Sequence, residues 1–272
     1  MLTGAISLAV IGAENNVNDI LLVSGITLGT GGILLLVQRF WTFNKDWSDW
    51  KKYLKTDVLH VLFSTLAPSS LIEAALFGLL FKASLFLSAA IGIGLWPVGI
   101  PIWIQCVLAI IISDLGFYWA HRALHGSRLW PIHAVHHSSD KMYVLASARN
   151  HPLNTLITYV LQMVPLVLLG APPIVLLVTS IFTAVMGMIQ HSNIDLRMDI
   201  FNYVFCTPKV HRVHHSVDIF VSNHNFSSNI TLWDFIFGTF WLPPKQVSKV
   251  GLEGHDGKPN FWHHLTFPFE YL

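Results

Sequence analysis

Long apolar runs limit this chain more than any other feature of its sequence. A helix needs about 20 mostly apolar residues to cross a hydrocarbon layer of roughly 30 Å. Four stretches supply them, roughly 20–37, 58–81 around Pro68, 101–120 and 153–190. The last is too long for one crossing, and Gly170-Ala171-Pro172-Pro173 at its middle is a turn signal, so it reads as a hairpin of two spans. Five spans result. Only 11% of the 272 residues are charged, less than half the share usual in soluble domains, so an all-α, multi-pass membrane bundle is the expected fold.

Met1 to Val10 is apolar but has no basic flank and no small-residue cleavage site, so it does not read as a cleavable signal peptide. No solenoid repeat or long polar linker interrupts the chain, and 1–272 is read as a single membrane-embedded domain. The stretch Ala83 to Leu95 is apolar but short and contains glycine. Charge bias decides how to count it. Fifteen of the sixteen basic residues follow spans one, three or five, leaving Lys82 alone on the other face. A sixth span before Pro101 would break that parity, so it is rejected, and the positive-inside rule makes the basic face cytoplasmic. A net charge of +1 supplies no basic stripe, which excludes nucleic acid as a partner. Two cysteines are too few for a disulfide framework, and Cys106, inside an apolar run, reads as a small core residue.

Histidine is the anomaly, with fifteen residues against fifteen Asp and Glu together. His121-Arg122-Ala123-Leu124-His125 is an HxxxH at the end of span three. Residues four apart share a helix face with Cβ atoms about 5–6 Å apart, close enough to serve one metal or two neighbouring ones. His133-Ala134-Val135-His136-His137 and His211-Arg212-Val213-His214-His215 are two HxxHH repeats. In each, the adjacent pair diverges by about 100° on a helix, which suits two metals side by side better than one. His191, at the end of span five, brings the number of candidate imidazoles to nine, and His151 is a possible tenth. Imidazole suits iron, zinc, copper and nickel rather than magnesium or calcium. The absence of HExxH argues against a zinc protease. His60, His255, His263 and His264 lack the spacing and read as structural, while His224 is intermediate.

Carboxylates matter because ligating histidines usually donate their second N–H to an acceptor. Asp114 lies seven residues before His121 on the same helix face, and an isolated acid inside a span is a functional candidate by default. It is expected to accept the outward N–H of His121 or a nearby histidine. Asp140 and Asp218, each three residues after a histidine box, are weaker candidates for similar parts.

Taken together, these residues resemble the fatty acid hydroxylase and sterol desaturase superfamily of membrane-bound di-iron oxygenases. The resemblance runs from about Ser113 to Pro243. It rests on Asp114 to Arg122, the three boxes in order, Arg149-Asn150-His151-Pro152, Asn225-Phe226 and Trp233-Asp234-Phe235-Ile236-Phe237-Gly238-Thr239. The resemblance implies a transmembrane helical bundle with a cytosolic helical cap, residues 113–243 being its catalytic region, and two iron ions per chain. It also implies a lipid substrate, O₂ as oxidant, and a separate electron donor of cytochrome b5, ferredoxin or reductase type. The ligand roles carry over directly to His121, His125, His133, His136, His137, His211, His214 and His215, and less directly to His191 and His151. Some branches have a further histidine where this chain has Asp195, which leaves the tenth position to His151, a water or no ligand. Hydroxylation is favoured over desaturation. The rival from another class is a zinc or iron transporter. It fits poorly, because transporter ligands line a path near the bilayer midplane whereas these boxes lie beyond the spans on one side.

Overall fold

The computed structural model describes residues 2–15, 17–91, 94–126, 128–197, 199–254 and 260–270; His255 and Lys258 lie outside them. In chain order the helices are α1 (Leu2–Glu14), α2 (Asp19–Phe40) and α3 (Leu54–His60), which passes through a π-helical stretch (Val61–Leu66) into α4 (Ala67–Ile91). Next come α5 (Ile102–Leu124), α6 (Trp130–His137), α7 (Pro152–Leu168) and α8 (Pro173–His191). Four short helices complete the chain: α9 (Pro208–His214), α10 (Ile219–Ser222), α11 (Leu232–Ile236) and α12 (Phe261–Thr266). The described residues contain no strand, only isolated bridges at Thr42–Ile194, Phe205–Ile230 and Ser216–Val250.

Proline and glycine set the boundaries of the long helices. Pro152 and Pro173 open α7 and α8 at the first helical position, where a missing N–H costs nothing. Between them α7 closes on Gly170 at φ 81°, the left-handed conformation glycine adopts most readily. Gly170 N–H bonds to Val167 O and Ala171 N–H to Leu166 O, the paired bonds of a Schellman ending, so the expected hairpin turn is present.

Among the described residues, three helical stretches are long and apolar enough to cross a membrane: Leu21–Phe40, Ile102–Leu124 and Pro173–His191. Leu2–Ala13, Leu79–Ile91 (the latter part of α4) and Pro152–Leu168 are shorter apolar helical stretches. The expected span at 58–81 belongs to the continuous α3–α4 rod, and Ala83 to Ile91 simply continues it. There is no separate piece there to count as a sixth span among the described residues. The N-terminal apolar stretch is a helix packed on α2 and α8, with Ala5 and Ala9 buried beside Ile181 and Val185. A second core joins α5 to α7 and α8 through Ala109, Met163, Leu166 and Val175.

The α5–α7 crossing depends on one glycine. A Cβ at Gly116 would sit 1.9 Å from Leu161 O. Pro165 lies inside α7 and has no N–H to offer that carbonyl four residues back, so Leu161 O is free to face the α5 backbone. Hydrogen bonds also bring together the ends that carry the histidines. Phe43 N–H donates to Asn193 O and Asp195 N–H to Trp41 O, joining the chain just beyond α2 and α8. His60 at the end of α3 meets Asn150 O, just before α7. One end of the bundle therefore gathers the C-termini of α2, α5 and α8.

Candidate metal centre

Nine histidines converge there in two groups. His121, His125, His133, His137 and His214 form one, and His136, His191, His211 and His215 the other, with ligand atoms within 4.8 Å of one another in each group. Each HxxHH box is shared. In α6, His133 and His137 face the five-histidine group while His136 turns to the four-histidine group. At the end of α9 the split is reversed, His211 and His215 facing the four-histidine group and His214 the other. Helical geometry forces this, since residues four apart point the same way and adjacent ones do not.

The groups have the spacing of metal ligands. In the four-histidine group, Nε2 atoms of His136, His191, His211 and His215 close a ring with edges of 3.1–3.2 Å. Arranged as a square or as a tetrahedron, such edges put a central ion about 2.3 or 2.0 Å from each nitrogen, close to the usual imidazole bond length. In the five-histidine group the Nε2 pairs His121–His133, His133–His137, His137–His214 and His125–His214 are 2.9–3.2 Å apart. The opposite nitrogens explain why these are not ordinary hydrogen bonds. Nδ1 of His121, His136, His191 and His214 each faces a backbone carbonyl, of Phe226, Arg149, Gly187 and His224 respectively. Nδ1 of His125 and His133 faces the side-chain oxygens of Asn223 and Asn154. A neutral imidazole that donates from Nδ1 keeps a bare lone pair on Nε2, so the inward nitrogens repel unless a cation lies among them. Burial favours the neutral form: it lowers His125 and His136 to about 4 and holds His133, His137, His211, His214 and His215 well below the ordinary imidazole range. The donor set therefore fits a borderline transition metal such as iron, zinc, copper or nickel.

The expectation that Asp114 accepts a histidine N–H is not met. Its Oδ1 accepts the backbone N–H groups of Ser228 and Asn229 at 3.0 and 2.8 Å, and Oδ2 that of Ile230 at 3.3 Å. Two helical turns separate Asp114 from His121 by about 10 Å along the axis, beyond the reach of a carboxylate. Its influence on His121 passes through the loop, whose Phe226 carbonyl receives His121 Nδ1–H. Asp140 instead accepts Tyr53 O–H at 2.6 Å, and Asp218 caps α10 by accepting Phe220 N–H. His151 joins neither group: Nδ1 accepts Leu153 N–H at the start of α7 and Nε2 meets Leu265 O. His224 contributes a carbonyl rather than its ring.

Two buried features escaped the sequence reading. Arg149 and Asp57 form an ion pair at 2.8 Å with both side chains fully buried. Tyr143 O–H donates to Asp57 and receives Arg149 Nη2–H, closing a triangle. It fixes the backbone whose Arg149 carbonyl holds His136. His60 and His264 are also buried and paired, Nε2 to Nδ1 at 3.0 Å, docking α12 on α3. Neither pair has a local sequence signal, since the partners are far apart in the chain.

The fatty acid hydroxylase family matches residues 106–239. An ornithine lipid hydroxylase of Rhizobium tropici is 34% identical over 248 residues, covering 89% of this chain and 74% of that protein. Alkylglycerol monooxygenase of Danio rerio is 33% identical over 165 residues, 60% of this chain and 36% of the relative. Methylsterol monooxygenase 1 of Rattus norvegicus is 33% identical over 152 residues, 54% of this chain and 51% of the relative. No solved structure matches. A helical membrane bundle with paired histidine clusters and such relatives defines a membrane-bound oxidoreductase. The chain belongs to the fatty acid hydroxylase family.

Proposed function

We propose that the chain is an O₂-dependent lipid hydroxylase with two iron ions, one in each histidine group. The observation that carries this reading is the convergence of nine inward Nε2 atoms at metal-ligand spacing in two adjacent groups. Iron supplies the one-electron and O₂ chemistry that side chains lack. The net reaction converts a C–H bond, O₂, two electrons and two protons into an alcohol and water. The chain's own part is to hold the ligands neutral and correctly oriented. Backbone carbonyls and the side chains of Asn154 and Asn223 fix six imidazole rings by accepting Nδ1–H. These acceptors are neutral, so they orient the rings without adding charge to the site.

A lipid substrate is supported by the extended similarity to the ornithine lipid hydroxylase, and hydroxylation by the hydroxylase and monooxygenase relatives. The electrons come from a separate protein of cytochrome b5, ferredoxin or reductase type, since the chain has no His-Pro-Gly-Gly haem motif and no GxGxxG nucleotide loop. Fifteen of sixteen basic residues follow the odd-numbered spans, which supports a site on the cytoplasmic face. The transporter reading gains nothing from the structure: both histidine groups gather at one end of the bundle.

The test compares lipid extracts from cells with and without the gene by mass spectrometry, alongside metal analysis of the purified protein. Lipids gaining one oxygen, with about two irons retained per chain through chelator washing, are the expected result. An unchanged lipid profile under aerobic growth would overturn the activity, and retained zinc without iron would overturn the metal assignment.

A further inference from the structure

The five-span reading places everything after His191 outside the bilayer. Contacts along α5 contradict that for part of the C-terminal region. α5 has 23 residues, about 34 Å of helix, so only a few ångström of it can protrude from a hydrocarbon layer of roughly 30 Å if it crosses. Trp233 Nε1–H donates to Ile111 O at 3.0 Å, thirteen residues or about 20 Å below Leu124 at the cap end. Asp114, which holds Ser228 to Ile230, lies about 15 Å below that end. Higher on the same helix, Tyr118 and Trp119 pack their rings on Phe237 at 5.0 and 4.9 Å. On α8, Asn229 Nδ2–H donates to Thr183 Oγ1 at 3.1 Å, and Phe205 packs against Phe182 and Met186.

We propose that residues 200–207 and 227–241 form a re-entrant wedge seated among the acyl chains of the bilayer, beside α5 and α8. The proposal rests on α5 crossing the membrane, not on the reaction proposed above. Non-helical backbone survives at that depth only where protein satisfies its polar groups, and the backbone N–H groups from Phe226 to Ile230 on the inner side of the wedge meet this condition. Asp114 takes the three N–H groups already named, Asp234 takes those of Phe226 and Ser227, and Gln190 Nε2–H donates to Ser228 O. The intramembrane carboxylate thereby acquires a purpose: it caps a loop.

The outer side is apolar. Ile200, Phe201, Val204, Leu232, Phe235 and Ile236 are all exposed. Their segments contain one charged residue, Asp234, and it is fully buried. Tyr203 joins them by stacking on Phe235 and packing against Phe240. Charge returns at the edge, where Asp199 pairs with Lys209 at 3.7 Å. An apolar face continuous with the spans and rimmed by an ion pair matches a lipid surface rather than water. The loop that leads into the wedge also borders the metal centre, because its buried Phe226 lies 5.1 Å from the His125 ring and 5.9 Å from that of His121.

The experiment uses the full-length protein in phosphatidylcholine vesicles. Nitroxides on Val204→Cys and Ile236→Cys are compared with Leu28→Cys on the lipid-exposed side of α2 and Asp199→Cys on the rim, the parent chain serving as blank. Positions 204 and 236 should match Leu28: frequent collisions with O₂, and collisions with a water-soluble nickel chelate more than about tenfold rarer than at 199, because charged reagents partition poorly into hydrocarbon. Unsubstituted protein treated with a lipid-soluble diazirine should carry label on both segments at the level of α2. Nickel collisions equal to those at Asp199 would show a solvated cap and overturn the wedge. Protection from both reagents, with no diazirine label, would show a protein covering and overturn it equally.

Discussion

His136 and His214 sit at matching places in the two boxes yet serve opposite groups, His136 the four-histidine ring and His214 the five-histidine cluster. Replacing either by Ala should abolish hydroxylation while membrane insertion persists, each loss removing metal chiefly from its own group. Metal analysis of membranes checks this, and full activity in both variants would remove them from the site. Buried neutral imidazoles also set an acid limit. His125 and His136 titrate near 4 in the folded chain against 6.5 when free, so between those values the unfolded chain binds more protons. Stability of the metal-free protein should therefore fall as pH drops from about 6.5 towards 4, checked by thermal unfolding in detergent. A pH-independent midpoint would contradict their burial as neutral rings. Asp114→Asn replaces an acceptor oxygen with a donor, stranding at least one N–H of the 228–230 loop at roughly 1–3 kcal/mol. Iron retention should weaken without vanishing, and retention equal to that of the parent would deny the loop any hold on His121. The histidines were legible because box spacing is local and periodic. The partner of Asp114 was not, because Ser228 lies 114 residues away.

At the level of elements, α3, α5 and α7 carry the supports of the site without supplying most of its ligands. Gly116 lets α5 and α7 meet where Leu161 O is free, and α7 presents Asn154 to His133. Gly116→Val should force the two helices apart, at about 1–3 kcal/mol for overpacking, and lower metal retention together with the melting temperature. An unshifted melting curve would mean that the crossing yields without cost. Asp57→Asn should act from α3. It leaves the Arg149 guanidinium uncompensated in a fully buried setting, at a cost of about 3–5 kcal/mol, and loosens the Arg149 carbonyl that orients His136. The helical hairpin was legible in Gly170-Ala171-Pro172-Pro173, because helix stops are written locally. The ion pair and the π-helical stretch were not, since each depends on packing between distant segments. Asp57 and Arg149 are 92 residues apart.

For the whole molecule, the question is which side of the membrane holds the metal centre. The apolar runs gave a five-crossing path, and the structure gathers the ends of α2, α5 and α8 as that path requires, although it merges the second run with the apolar residues beyond it as far as Ile91. What sequence periodicity could not show is that part of the region after His191 packs along α5, because its apolar residues form no helix of membrane length among the described residues. The proposed orientation rests on charge. Arg39, Arg122 and Arg128 lie at or near the gathered ends, while Lys82 lies within α4, far along the rod from His60. Basic residues near span ends resist transfer across the bacterial or endoplasmic reticulum membrane during insertion, which is the ground for proposing the rich face as the cytoplasmic one. Arg128→Cys and Lys209→Cys should accordingly react with an impermeant thiol reagent only from the cytoplasmic side, tested in right-side-out and inverted vesicles with the parent chain as blank. Both positions belong to segments carrying ligands of the two groups, so agreement between them places the entire centre on that side. Reaction from the opposite side alone would invert the topology, and a split between the two positions would break the five-span count.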